Sequence, residues 1–181
     1  MMPRRLKPSA ALLPLLLACG PSEGISRELR KTYEDGVTVR VIGTEVLLDG
    51  EWVMEGAAVF FDPEGGKIAE GQYSAGLETG AWTRWLEDGT RTEGSFEAGK
   101  RTGTWTFWHA EGSRQEQGAY EGGLREGPWK RWYPGGALRE ENDYVAGKMH
   151  GQRRAYELDG SLDRERSGLF EEGVRVAPLP R

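Results

Sequence analysis

Apolar positions along this chain follow two different patterns. Residues 10–18 form a short apolar run broken only by Pro14. From about residue 37 onward, aromatic and β-branched residues are interspersed with polar ones in short stretches bounded by glycine. Stretches of this kind between glycine turns predict β-strands. "GAWTRWLEDGTRTEGSFEAGK", residues 80–100, is one example. Strand-forming residues flank Glu87-Asp88-Gly89, and Asp-Gly is a strong signal for a tight hairpin turn. Leu158-Asp159-Gly160 and Ala110-Glu111-Gly112 hold the same place in their own stretches. A second glycine turn, as in "EAGK" and "VAGK", joins one hairpin to the next. The expected fold is all-β: an elongated antiparallel meander of stacked β-hairpin repeats with about ten strands, extended at its start by residues 37–55.

The hairpins repeat in register. An opening glycine recurs at Gly56, Gly80, Gly103, Gly127 and Gly151, so the units are 23 or 24 residues long. Nine residues after each stands Gly65, Gly89, Gly112, Gly136 or Gly160. A third set follows at Gly76, Gly99, Gly123, Gly147 and Gly173. Three residues before each of these lies an aromatic: Tyr73, Phe96, Tyr120, Tyr144 and Phe170. Another aromatic lies five residues after each opening glycine: Phe61, Trp85, Trp108, Trp132 and Tyr156. A hairpin cannot bury its own apolar face, so neighbouring units must share one.

The central three units carry a further tryptophan: Trp82, Trp105 and Trp129. In an unbroken strand, positions three apart point to opposite faces. A packing position should be filled in every unit, which assigns Phe61, Trp85, Trp108, Trp132 and Tyr156 to the shared core. The row Tyr73, Phe96, Tyr120, Tyr144 and Phe170 joins it. Gly71, Gly94, Gly118 and Gly168, each two residues before one of these aromatics, leave room for a neighbouring ring. Trp82, Trp105 and Trp129 then become candidates for an exposed partner-binding ladder, flanked by Arg84, Phe107 and Arg131, because Trp and Arg dominate binding hot spots. The competing reading is a second core row.

G-x-W-x-x-W followed by a D-G turn, an aromatic and "G-K" resembles the MORN (membrane occupation and recognition nexus) repeat in its bacterial variant form. The resemblance runs from about Gly56 to Gly173 and departs at both ends. Ala58 and Arg153 replace the first tryptophan, and two extra residues lie between Gly160 and Gly173. It implies an elongated β-hairpin array that binds or scaffolds partners. Some bacterial members are labelled toxin–antitoxin antitoxins, and the resemblance alone implies that possibility here.

The N-terminus adds a location. Arg4, Arg5 and Lys7 precede the apolar run, which is too short to span a bilayer and reads as a signal peptide. Leu16-Leu17-Ala18-Cys19 resembles the bacterial lipobox, and Cys19 is the single cysteine of the chain. The expected organisation is a lipoprotein signal peptide at 1–18, a lipidated N-terminus and linker at 19–36, the repeat domain at 37–176 and a tail at 177–181. Lipid on Cys19 would anchor an exported protein to a bacterial membrane.

Composition and charge narrow the partners. The chain carries 27 glycines in 181 residues, which suits many turns. Without residues 1–18 it would keep 21 basic and 29 acidic side chains, a charge of −8. Nucleic acid is therefore not an expected partner, since its affinity comes largely from neutralised phosphates. No cofactor or metal is expected. His109 and His150 stand in different units and positions, and no nucleophile elbow, S-x-x-K or C-x-x-C spacing occurs. The leading expectation is a non-enzymatic, lipid-anchored scaffold of the bacterial envelope that recognises a protein or glycan. The alternatives are an antitoxin or immunity protein, and a polysaccharide hydrolase whose carboxylates assemble only in the fold.

Overall fold

The computed structural model describes residues 25–36 and 38–180. The apolar run, the lipobox and Cys19 lie outside these residues. Thirteen strands form one antiparallel sheet in which each strand pairs with its sequence neighbours. The strands are β1 Ser26–Thr32, β2 Val39–Leu48, β3 Glu51–Phe61, β4 Lys67–Ser74 and β5 Leu77–Trp85. They continue with β6 Arg91–Glu97, β7 Lys100–Trp108, β8 Arg114–Glu121 and β9 Leu124–Trp132. The sheet ends with β10 Leu138–Val145, β11 Lys148–Tyr156, β12 Leu162–Glu171 and β13 Val174–Ala177. The expected meander is present. It begins earlier than expected, because β1 lies within the segment read as a linker and pairs along β2. Its sequence, "SRELRKT", is charged as an edge strand should be, and only Leu29 is buried in it.

Both glycine turns are hairpin turns of specific kinds. At Leu86-Glu87-Asp88-Gly89-Thr90, the Gly89 N–H donates to the Leu86 carbonyl and the Leu86 N–H to the Thr90 carbonyl. Gly89 sits at φ 81°, so this is a three-residue loop closed by a left-handed glycine. The Asp88 carboxylate accepts from the Thr90 N–H and hydroxyl at 2.9 and 2.6 Å and fixes the loop. The second turns are two-residue loops with both φ values positive, as at Ala98 (47°) and Gly99 (76°), which is type I′ geometry. Each ties its unit to the one before: the Gly99 N–H donates to the Glu78 carbonyl at 2.9 Å, and the Gly123 N–H to the Arg101 carbonyl at 2.9 Å.

Alanine is a poor residue for a left-handed position, since a Cβ there costs about 1–2 kcal/mol. Asparagine tolerates the conformation and is favoured in this turn. Ala98→Asn is expected to stabilise the chain by about 0.5–1 kcal/mol. A urea midpoint that rises at unchanged slope would show it, and an unmoved or lower midpoint would refute the turn assignment.

The opening glycines break the ladder. Glu70 pairs with Thr83, but the next pair is Gln72 with Thr79, so β5 carries two extra residues across the break. Gly80, at φ 63°, is one of them. The same shift recurs at Gly103, Gly127 and Gly151, with φ values of 62°, 65° and 81°. The tryptophan two residues on turns back over the preceding strand. There its indole N–H finds a carbonyl beside the break: Trp82 donates to Gln72, Trp105 to Ser95 and Trp129 to Ala119, each at 3.1 Å.

That geometry settles which tryptophan row is inside, and it reverses the expected assignment. Trp82, Trp105 and Trp129 are 3%, 0% and 1% exposed and form the core with Phe96 and Tyr120. Tyr73 and Tyr144 pack against it. Rings meet edge to face along the sheet: Tyr73 on Trp82 at 5.2 Å, Phe96 on Trp105 at 5.1 Å and Tyr120 on Trp129 at 5.0 Å. Phe61, Trp85, Trp108, Trp132 and Tyr156 are only half-buried. The glycine notches have the expected purpose. A Cβ on Gly71, Gly94 or Gly118 would lie 2.1–2.2 Å from the ring of Trp82, Trp105 or Trp129. Gly168 differs, because Arg175 fills its notch.

Candidate functional site

Side-chain alternation divides each central strand between two faces. On β5, Trp82 and Arg84 share one face with Gly94 and Thr92 of β6, their direct partners. Ala81, Thr83 and Trp85 share the other with Ser95, Glu93 and Arg91. The six residues proposed from sequence as partner-binding, Trp82, Trp105, Trp129, Arg84, Phe107 and Arg131, do lie on one face. Their roles differ from those expected. The three tryptophans are sealed beneath neighbouring rings and cannot meet a partner. Arg84, Phe107 and Arg131 remain partly accessible above them.

This first face is a layer of arginines over aromatics. Arg84 lies 5.3 Å from the rings of both Trp82 and Phe96 and pairs with Glu78. Arg125 lies 4.1 Å from the Trp129 ring and donates to the Tyr144 hydroxyl at 3.3 Å. Glu116 binds Arg125 at 2.8 and 3.0 Å and Arg131 at 2.9 Å. Phe107 bridges Trp105 and Trp129, with centroids 6.4 Å from each. Guanidinium groups stacked on rings cover the aromatic ladder while keeping their charge near water, so one sheet can bury indoles without a second layer.

The opposite face carries the accessible tryptophans. Trp85, Trp108 and Trp132 recur at one position in consecutive units, with Phe61 and Tyr156 in line. Each tryptophan has a cation over its ring: Lys67 at 5.7 Å from Trp85, Arg91 at 5.0 Å from Trp108 and Arg114 at 4.6 Å from Trp132. The Trp108 indole N–H donates to Glu93 at 3.1 Å. Beside Trp85, Ile68 and Leu86 are 37% and 50% exposed and form an apolar patch bordered by Glu87 and Asp88. A shallow hollow of small and polar side chains, including Ala57, Gln72, Ala81 and Thr83, continues along the same face.

The charged groups are arranged to stay charged. A hydrogen bond from Lys130 holds Glu141 below its ordinary value, and hydrogen bonds from Thr90 do the same for Asp88. Lys148 lowers Glu172 in the same way. His109 lies 3.1 Å through Nε2 from the Trp132 carbonyl, a structural contact at a hairpin tip. Among the described residues, no group of three or more His, Cys, Asp or Glu is placed to hold a metal ion.

Sequence reasoning misplaced the row of Trp85, Trp108 and Trp132. A signal for the true arrangement exists in the chain. Trp82, Trp105 and Trp129 each follow a unit with a glycine notch, whereas Arg153 follows Asn142, its cross-strand partner, where the notch is absent.

Residues 125–146 match the family model described as a MORN repeat variant. The segment contains the β9–β10 hairpin with Trp129, Trp132 and Tyr144. The match covers 22 of the 181 residues, and the same glycine and aromatic spacing extends through the neighbouring units. A search of curated proteins finds no match.

Proposed function

We propose that this protein is a non-enzymatic binding scaffold that recognises an extended protein or glycan partner on the face carrying Trp85, Trp108 and Trp132. The observation that carries this reading is the row itself. Three large, rigid, partly exposed side chains stand at equivalent positions, each with a cation over its ring. The row repeats every two strands, roughly 9–10 Å. Such side chains offer wide contact area at little entropic cost, and the spacing suits a chain lying across the strands. An open sheet face also suits an extended ligand better than a small substrate, which usually binds in a cleft.

The lipobox-like Leu16-Leu17-Ala18-Cys19 supports lipid anchoring to a bacterial membrane, which would present the face to the envelope. Two experiments test the proposal. Changing Trp85, Trp108 and Trp132 together to Ser should abolish capture of partners from envelope extracts, measured at a temperature where circular dichroism shows the sheet retained. Capture equal to wild type would reject the face. Cys19→Ser should shift the protein from the detergent phase to the aqueous phase or leave it as precursor. Unchanged membrane association would reject the anchor.

A further inference from the structure

In the arginine layer over the buried tryptophans, one guanidinium lacks the carboxylate partner that Arg84, Arg125 and Arg131 have among the described residues. In the β8–β9 region, Arg125 stacks 4.1 Å over Trp129, donates to the Tyr144 hydroxyl and grips the Glu116 carboxylate with two nitrogens. One unit earlier, Arg101 holds the equivalent place. It stacks 4.4 Å over Trp105 and donates to the Tyr120 hydroxyl at 3.1 Å. The position equivalent to Glu116, two residues before the glycine notch, is Thr92. Among the described residues Arg101 has no carboxylate partner, whereas Arg84 pairs with Glu78 and Arg125 with Glu116.

We propose that Arg101, held over the buried Trp105 ring, and Thr92 form a binding site for a glutamate or aspartate side chain of a protein partner, supplied by an acidic segment lying across β5 to β8. The internal precedent defines the ligand. One unit on, Arg125 holds Glu116, a carboxylate on a short methylene stem, in the fork of its guanidinium, with a second contact from Arg131 where Phe107 stands at this site. At Arg101 the guanidinium is already oriented by the indole and the tyrosine hydroxyl, so little ordering is needed on binding. Arg84, directly opposite Thr92, brings a second guanidinium to the site, itself paired with Glu78. Phe107, the other cross-strand partner of Thr92, offers an apolar wall for the stem. Charge complementarity thus selects an acidic peptide. This site lies on the face opposite Trp85, Trp108 and Trp132, so it is independent of the surface proposed above.

The test uses a fluorescein-labelled peptide of alternating Glu and Val, titrated against the full-length chain and followed by anisotropy. Wild type should bind, and added salt should weaken binding. Arg101→Gln should weaken it by about tenfold or more, as expected for loss of a charge-assisted pair. Thr92→Glu should fill the site from within, raising the melting temperature while abolishing peptide binding, so loss of binding cannot be confused with unfolding. The triple Ser variant of Trp85, Trp108 and Trp132 should bind the peptide normally, which separates this site from the opposite face. No binding to wild type, equal affinity in Arg101→Gln, or binding retained by Thr92→Glu would each overturn the proposal. So would a preference for a uronic-acid polysaccharide over the peptide.

Discussion

Trp105→Ala should cost about 3–5 kcal/mol, the range for truncating a fully buried large aromatic. Trp105 is 0% exposed, and its loss removes several supports together. The edge-to-face contact with Phe96 disappears, as do the contacts with Tyr120 and Phe107. The Ser95 carbonyl loses its indole donor, and Arg101 loses the ring on which it lies. Trp108→Ala on the same strand should cost less, because its side chain is only partly buried. Denaturant melts of the two variants side by side decide the matter. A larger loss for Trp108→Ala would restore the assignment suggested by the sequence.

Gly94→Ala should be nearly as damaging, although it adds a single methyl. A Cβ there would lie 2.2 Å from the Trp105 ring, far inside contact distance. The ring cannot step aside cheaply, because its N–H is tied to Ser95 and Phe96 braces it edge-on. Overpacking usually costs about 1–3 kcal/mol, and a pinned ring places this variant at the upper end. The mechanism makes a sharper demand on the pair. Once Trp105→Ala has emptied the space, adding Gly94→Ala should cost little more. If the two losses simply add, the notch does not exist to receive the indole.

The hairpin array was legible because its determinants are local. Gly89 and Gly99 announce turns that depend on their own backbone conformation, and the spacing of 23 or 24 residues fixes the succession of strands. The faces were less legible. The expectation that a core position must be filled in every unit fails for a linear array. An interior row needs neighbours on both sides, so it fades at the ends, and Ala58 and Arg153 mark where the indole ladder stops. The row that persists to both ends, from Phe61 to Tyr156, instead lines the partly exposed opposite face. The break at each opening glycine, which turns the indole back over the preceding strand, depends on cross-strand register, so the recurring glycine marked the place without revealing the shift. Strand β1 escaped notice for a related reason: an edge strand is charged, and "SRELRKT" has the composition of a linker.

Pairing strictly between sequence neighbours has a mechanical consequence. A load applied between β1, at one edge of the sheet, and a partner held further along crosses the strands one after another. Cross-strand hydrogen bonds under such a load open in succession, like a zipper, instead of yielding together. Each unit of about 24 residues would release a length on the order of 80 Å as it peeled away. The interlock of each type I′ turn with the unit before it, such as Gly123 N–H to the Arg101 carbonyl, sets the step at which the next hairpin holds. The array would therefore behave under tension as an extensible tether that gives way from its edges and keeps its central, tryptophan-filled units longest.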